Sequence, residues 1–69
     1  MTTKQIKVAM LKRDVGVKEL AHRLGTSSQN LSGKFKRDNF SRQELEDIAE
    51  AMGCTHEGVF RDKNTGEVV

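Results

Sequence analysis

Apolar residues recur at helical spacing in two segments of this chain, and a glycine ends each segment. In both, apolar residues occupy positions i, i+3, i+4 and i+7, which places one apolar stripe along a short helix. The stripes are Val17, Leu20, Ala21 and Leu24 before Gly25, and Leu45, Ile48, Ala49 and Met52 before Gly53. Glycine directly after a helix favours a left-handed cap. The chain is therefore predicted to fold mainly as short helices, each burying one face.

Capping residues predict where the outer helices begin. Thr2 and Gln5 match a capping box near the start of the chain, and Ser41 and Glu44 match a second one before the later stripe. The first helix is expected to end before Gly16, which has the backbone freedom to turn the chain.

The last part of the chain changes to strand-like composition. The segment 55–61 includes Val59 and Phe60, which favour a strand. Residues 62–66 form a turn signal, and residues 67–69 are expected to return as a second strand. We predict one mostly α domain over residues 1–69, with a helical core over 3–53 and a C-terminal β-hairpin over 55–69. Because an isolated hairpin is marginally stable, it is expected either to pack on another surface or to pair with a second copy. Dimerisation is predicted to use four apolar residues of this segment. These are Val59, Phe60, Val68 and Val69.

Charge is divided unevenly along the chain. Residues 1–43 contain ten Lys and Arg against three acidic residues, whereas residues 44–69 contain two basic against seven acidic residues. A basic N-terminal part and an acidic C-terminal part suit a protein that approaches a polyanion in one orientation. The length of 69 residues is enough for one small domain, which dimerisation would help to stabilise.

Several function classes find no support in the residues. Cys54 is the single cysteine, which fits a reducing compartment rather than a disulfide scaffold. Cys54 and His56 supply only two ligands, so no zinc site is expected. No apolar run approaches the roughly 20 residues of a membrane span, and no nucleophile–base pair or glycine-rich phosphate loop is visible. We expect a cytoplasmic protein that is not an enzyme, holds no cofactor or metal and has no membrane partner.

A three-residue link, 25–27, separates the first stripe from a polar segment that is predicted to form the next helix, over about 28–36. Ser27 suits the capping position of this helix, whose only large apolar residues are Leu31 and Phe35. Such a short link between two helices is typical of a helix-turn-helix unit. The rest of the helix carries amide, hydroxyl and basic side chains. In the major groove of DNA, such side chains contact the edges of base pairs and the phosphates.

The segment over residues 17–32 resembles the phage repressor and Cro-like helix-turn-helix family, the XRE type. The matching features are Leu20-Ala21 in the first helix of the unit, Leu24-Gly25 at its end, Ser27 in the turn and Leu31 in the following helix. The flanking helices extend the resemblance to about residue 53. It implies a lambda-repressor-like bundle of four short helices, binding of double-stranded DNA, and C-terminal strands that support a homodimer.

The resemblance also implies roles in DNA binding. Base contacts fall to Ser28, Gln29, Asn30, Ser32 and Gly33, with Gln29 foremost. Contacts to the DNA backbone, which set register and affinity, fall to Ser27, Lys18, Lys34, Lys36, Arg37 and Asn39. The chain departs from the family at two positions. Val17 stands where a phosphate-binding glutamine is common, so Lys18 is expected to replace that contact, and Lys34 stands where an aliphatic residue is usual, so Phe35 is expected to take its packing role.

Two functions remain open. The first is a transcriptional regulator, a repressor of phage or mobile-element type, whose homodimer places two helices in successive major grooves of a pseudo-palindrome roughly 34 Å apart. Its acidic fourth helix could also contact RNA polymerase. The alternative is a protein-interaction module on the same fold, such as an antitoxin or an anti-repressor target, with a regulatory protein as partner. The basic third helix favours DNA, and the lack of aromatic residues on its polar face disfavours RNA.

Overall fold

The computed structural model describes residues 2–69, which form four α-helices followed by a short antiparallel hairpin. The helices are α1 (Thr2–Lys12), α2 (Val17–Leu24), α3 (Ser28–Arg37) and α4 (Arg42–Ala51), and the strands are β1 (Cys54–His56) and β2 (Phe60–Asp62). The predicted class, a mostly helical bundle with a C-terminal β-hairpin, is confirmed.

One hydrophobic core joins the four helices and the hairpin. Leu20 of α2 and Ile48 of α4 are 0% and 2% exposed, as the spacing of the two stripes predicts. Their stripe neighbours Val17, Leu24 and Leu45 pack against the edge of the core. The buried residues are Ile6, Ala9, Met10, Val15, Leu20, Ala21, Leu31, Phe35, Ile48, Ala49, Met52, Cys54 and Phe60.

Capping bonds at the ends of α2 and α3 define the turn between them. Gly25 takes the left-handed conformation, with φ of 73°. Its N–H donates to the carbonyl of His22 at 3.1 Å, and the N–H of Thr26 donates to that of Ala21 at 3.0 Å, which is a Schellman motif. The Ser27 hydroxyl then accepts from the first turn of α3. Both predicted caps are confirmed.

The capping box of α4 is also confirmed. The Ser41 hydroxyl accepts from the N–H of Glu44 at 3.1 Å, and the Glu44 carboxylate accepts from the N–H of Ser41 at 2.8 Å. These bonds satisfy two donors that a helix start otherwise leaves without a partner.

The two ends of α1 differ from expectation. The Thr2–Gln5 capping box does not form, because Thr2 is already a residue of α1 and does not precede the helix. The Gln5 side chain instead donates to the carbonyl of Gly58 at 3.2 Å. At the other end Asp14, with φ of 55°, adopts the left-handed turn that was predicted for Gly16. Gly16 has an ordinary φ of −83° and precedes α2. Aspartate tolerates the left-handed region because its short polar side chain bonds locally.

Asp38 links the start of α1 to the end of α3. Its carboxylate accepts from the N–H of Thr3 at 2.8 Å, and the Thr3 hydroxyl donates to the carbonyl of Phe35 at 3.1 Å. Hydrogen bonding from Thr3 lowers the pKa of Asp38. The end of α3 is thereby tied to α1.

The hairpin lies partly outside the predicted strands. Residues 55–61 do not form one strand, because Gly58, with φ of 83°, turns the chain between β1 and β2. The predicted turn at 62–66 forms after β2, and the N–H of Val69 donates to the carbonyl of Phe60 at 2.8 Å beyond it. Residues 67–69 were expected to form a second strand, but they form only one antiparallel β-bridge, between Arg61 and Val68.

Asp62 ties this hairpin to α1. Its carboxylate accepts from the N–H of Thr65 at 2.9 Å and of Asn64 at 2.7 Å, and it forms an ion pair with Arg13. The Thr65 bond, the Arg13 guanidinium and the Asn64 bond lower the pKa of Asp62 to about 2.

Candidate nucleic-acid interface

Helix α3 buries one side and exposes the other. Leu31 and Phe35 are 3% and 7% exposed and anchor the helix to the core. Because successive helical residues turn by about 100° around the axis, Gln29 and Gly33 lie opposite these anchors, with Lys36 beside them. All three are exposed or half-buried. Phe35 thus takes the packing role expected for it, and α3 presents a polar outer face.

The five residues predicted to contact bases differ in how free their side chains are. The Asn30 amide donates to the Thr26 hydroxyl at 3.4 Å, so the turn partly holds it. No hydrogen bond within residues 2–69 engages the Gln29 side chain, which keeps its donor and its acceptor for a ligand. Ser28, Gln29 and Asn30 are exposed, and Ser32 and Gly33 are half-buried.

Three basic residues of α3 were predicted to contact phosphates, and the structure separates them. Lys36 and Arg37 are exposed, and within the described chain neither forms an ion pair. Lys34 lies on the flank towards α4 and pairs with the Glu44 carboxylate. Lys34 and the N–H of Ser41 lower the pKa of Glu44. Lys34 therefore holds α3 against α4 and would have to leave Glu44 to reach a phosphate.

The other predicted backbone contacts lie at the ends of the helices. Lys18 in the first turn of α2 and Asn39 in the loop after α3 are exposed. Ser27 is exposed as well, but its hydroxyl accepts from the N–H of Asn30 at 3.1 Å and so caps α3. Val17 packs against the core, which leaves Lys18 as the available cation at the start of α2.

A groove of about 750 Å³ separates α3 from α4. Leu31 and Ile48 contribute to its apolar floor, Arg37 lies on the α3 side, and the α4 side carries Asp47 and Glu50. The lining carries three cations (Arg23, Lys34 and Arg37) and three carboxylates (Glu44, Asp47 and Glu50), so its charges balance. Gln29 and Gly33 of the outer face of α3 also line this groove, so its α3 edge belongs to the candidate interface.

Two basic residues that the sequence patterns did not single out lie close to α3. The Lys7 ammonium is 5.4 Å from the centroid of the Phe35 ring. Arg23 borders the groove beside Gln29, and its guanidinium donates to the carbonyl of Ala51 at 2.8 Å. The position of Arg23 in the last turn of α2, one short link before α3, is a usable clue. Lys7 has no such clue, because its neighbour Phe35 is distant in the sequence.

The four residues predicted for dimerisation line one groove near the end of the chain, but they differ in exposure. Phe60 is 2% exposed, and its ring packs against that of His56 with centroids 4.9 Å apart, so it serves the core of its own protomer. Val59 and Val69 are half-buried, and Val68 is 54% exposed. Closure of the hairpin onto α1 and α4 buries Phe60 and leaves it no free surface for a second copy.

Within residues 2–69, no three His, Cys, Asp or Glu side chains are grouped to hold a metal ion. The buried Cys54 thiol instead faces the carbonyl of Met52 at 3.6 Å. In the same part of the chain, every helix is too short or too polar to cross a membrane.

Comparison with known proteins identifies a family. No curated protein and no solved structure matches the chain. One family model, described as a domain of unknown function (DUF6471), matches residues 1–56, a span that includes α1 to α4 and β1. The match covers more than half of the chain, and the protein therefore belongs to the DUF6471 family.

Proposed function

We propose that this protein is a sequence-specific regulator of transcription, of the Cro/repressor type, that inserts α3 into the major groove of double-stranded DNA. The observation that carries the proposal is the unengaged amide of Gln29, which lies opposite the buried side of α3 and on the same outer face as Lys36. A glutamine amide bonds bidentately to N6 and N7 of adenine, and such a pair discriminates against a wrong base by about 1–3 kcal/mol.

The way α3 is held supports this role. Gly25 and Ser27 cap its start, and Asp38 connects its end to Thr3 of α1. Base recognition needs side chains that are placed to within a fraction of an ångström, and rigid elements provide this better than loops do. A helix that is fixed at both ends also loses little conformational freedom on binding.

The cations around α3 supply affinity without sequence information. Lys36 and Arg37 are exposed at its end. Each phosphate that such residues neutralise lowers the slope of log K against log salt concentration by about 0.9. Binding of any duplex is therefore expected to weaken as salt rises.

The proposed regulator acts in the cytoplasm as a homodimer on a pseudo-palindromic operator, with half-sites about one helical turn apart. Occupancy of promoter DNA would repress by itself. Glu46, Asp47 and Glu50 on α4 are exposed carboxylates, and they suit a contact with a basic surface of RNA polymerase.

Selection from random duplex DNA tests the proposal, with the protein's own variants as controls. We expect an enriched pseudo-palindrome. Gln29→Ala is expected to weaken binding to that site by about 1–3 kcal/mol and to relax preference at one position of each half-site, whereas Lys36→Ala should weaken all sequences alike. No enrichment at low salt from folded protein would refute DNA recognition, and an unchanged preference in Gln29→Ala would refute the placement of Gln29.

The groove between α3 and α4 favours a second candidate, a protein-interaction module such as an antitoxin. Its floor is apolar, and its two sides carry opposite charges, as in many sites for protein segments. This candidate predicts that binding to duplex DNA is absent at low salt. It also predicts that Ala51→Glu at the groove abolishes binding of a protein partner, whereas Lys36→Ala leaves it intact.

A further inference from the structure

The ion pair between Lys34 of α3 and Glu44 of α4 lies at the edge of the candidate interface. The two side chains are 37% and 34% exposed, so neither is fully open to solvent. Gln29, Gly33 and Lys34 line the groove on its α3 side, and Glu44 lines it on the α4 side. A change in this pair therefore alters the charge beside the side chain that is proposed to contact bases.

Glu44 is positioned by its own helix. One carboxylate oxygen, Oε1, accepts from the N–H of Ser41 at 2.8 Å within the capping box, and the other, Oε2, forms the ion pair with Lys34. Contacts within the first turn of α4 thus fix the carboxylate, whereas the lysine brings its charge on a flexible four-carbon stem. The protein therefore offers Lys34 a preorganised anion of its own.

Lys34 differs in this respect from the other two cations near the end of α3. Lys36 and Arg37 are exposed, and within residues 2–69 neither forms an ion pair. Lys34 follows Asn30 by four residues, so the two are neighbours on the surface of α3. A lysine released at this position can turn its long stem from the groove towards the outer face. Its charge is thus close to the predicted base contacts but is neutralised.

Glu44 and a DNA phosphate compete for the same ammonium group. Non-specific binding to DNA comes almost entirely from cations that neutralise phosphates and release counterions. One cation fewer lowers the affinity for any duplex and makes that affinity less sensitive to salt. The ion pair with Lys34 and the hydrogen bond from Ser41 lower the pKa of Glu44, so this competitor stays charged at neutral pH.

We infer that Glu44 is a positioning residue for DNA binding, which holds Lys34 away from the phosphates and thereby limits the affinity of the protein for unselected DNA. Lys34 adds a phosphate contact only where Glu44 has lost its charge. This inference rests on the proposed function, because it assumes that α3 meets a duplex. The base contact proposed for Gln29 does not depend on it.

Salt titrations with an unselected duplex test the inference in the variant Glu44→Gln. Glutamine also serves at this position of a capping box, so the variant removes the charge and keeps the start of α4. We expect Glu44→Gln to bind more tightly than the wild type, with a plot of log K against log salt concentration steeper by about 0.9 for one added phosphate contact. The gain should vanish in the double variant Lys34→Ala, Glu44→Gln, whose slope should match that of Lys34→Ala.

Asp47→Asn is the matched control. Asp47 lines the same groove, its carboxylate accepts from the Gln43 amide at 3.0 Å, and within the described part of the chain it forms no ion pair. The variant removes an equal charge from the same groove without releasing a lysine, so its slope should equal that of the wild type. Far-UV circular dichroism checks that every variant folds.

An unchanged slope in Glu44→Gln would overturn the inference, as would an equal steepening in Asp47→Asn. A gain that persists without Lys34 would do the same, because weaker repulsion in general would then explain it. In these cases the proposed function still stands, provided that the wild type binds the selected operator and Gln29→Ala relaxes its preference. A wild type that binds no duplex at low salt would overturn both.

Discussion

Gly33 stands in the middle of α3 without a conformational need for glycine. Its backbone is in the ordinary helical region, and a Cβ atom there would meet only Nη1 of Arg37, at 3.5 Å, which is a normal contact distance. Glycine inside a helix costs about 1 kcal/mol relative to alanine because it loses more conformational freedom on folding. Gly33→Ala is therefore expected to stabilise the protein by about 1 kcal/mol, which raises the Tm of a domain of this size by about 4–8 °C.

The same substitution at Gly25 is the matched control. Gly25 has φ of 73° at the end of α2, and no atom lies within 4 Å of a Cβ built there. The left-handed conformation costs an alanine about 1–2 kcal/mol, so Gly25→Ala should lower the Tm although space is available. Thermal denaturation followed by far-UV circular dichroism measures both variants. If Gly33→Ala melts at or below the wild-type temperature, the reasoning about Gly33 is refuted.

Gly33→Ala also separates stability from DNA recognition. The added methyl group would stand on the outer face of α3, opposite Leu31, where base edges are proposed to approach. We expect the more stable variant to bind the selected operator more weakly than the wild type does in a fluorescence anisotropy titration. Unchanged affinity would show that the duplex does not approach this part of α3.

Two further predictions concern the hairpin. The pKa of Asp62, about 2, lies below its value of about 3.9 in an unfolded chain, so its contribution to stability is complete above about pH 4 and is lost as pH falls towards 2. The Tm of Asp62→Asn should therefore depend less on pH over this interval than the Tm of the wild type does. Parallel plots of Tm against pH for the two proteins would contradict the role of Asp62. The Cys54 thiol is 1% exposed, so it should resist alkylation in the native protein and react once denaturant unfolds it. Rapid alkylation in native buffer, timed by mass spectrometry, would contradict this burial.

Hydrogen bonds between residues close in the chain were predictable from the sequence. The Ser27 cap and the Ser41–Glu44 box join residues three apart, and the left-handed turn at Gly25 depends on the preceding helical turn alone. The geometry of a helix end already places these donors and acceptors within reach. For the same reason the polar side of α3 was predictable, because Leu31 and Phe35 identify the side that is buried.

Contacts between distant residues were decided only by the tertiary structure. The start of α1 is hydrogen-bonded by Asp38 and not by a local capping box. Lys34, which was predicted to contact a phosphate, forms an ion pair with Glu44. Which polar groups of α3 remain free, Gln29 above all, thus depends on how α4 packs beside it.

The same division holds for apolar residues. On α1, Met10 is 5% exposed and its neighbour Leu11 is 83% exposed, whereas Phe60, expected at an interface, lies in the core. The sequence by itself determined that the chain forms short amphipathic helices, where α3 and α4 begin, and that α3 has a polar face, since these follow from spacing within a few residues. Only the tertiary structure decided which apolar faces meet each other and which remain for a partner, because burial depends on surfaces brought together from distant parts of the chain.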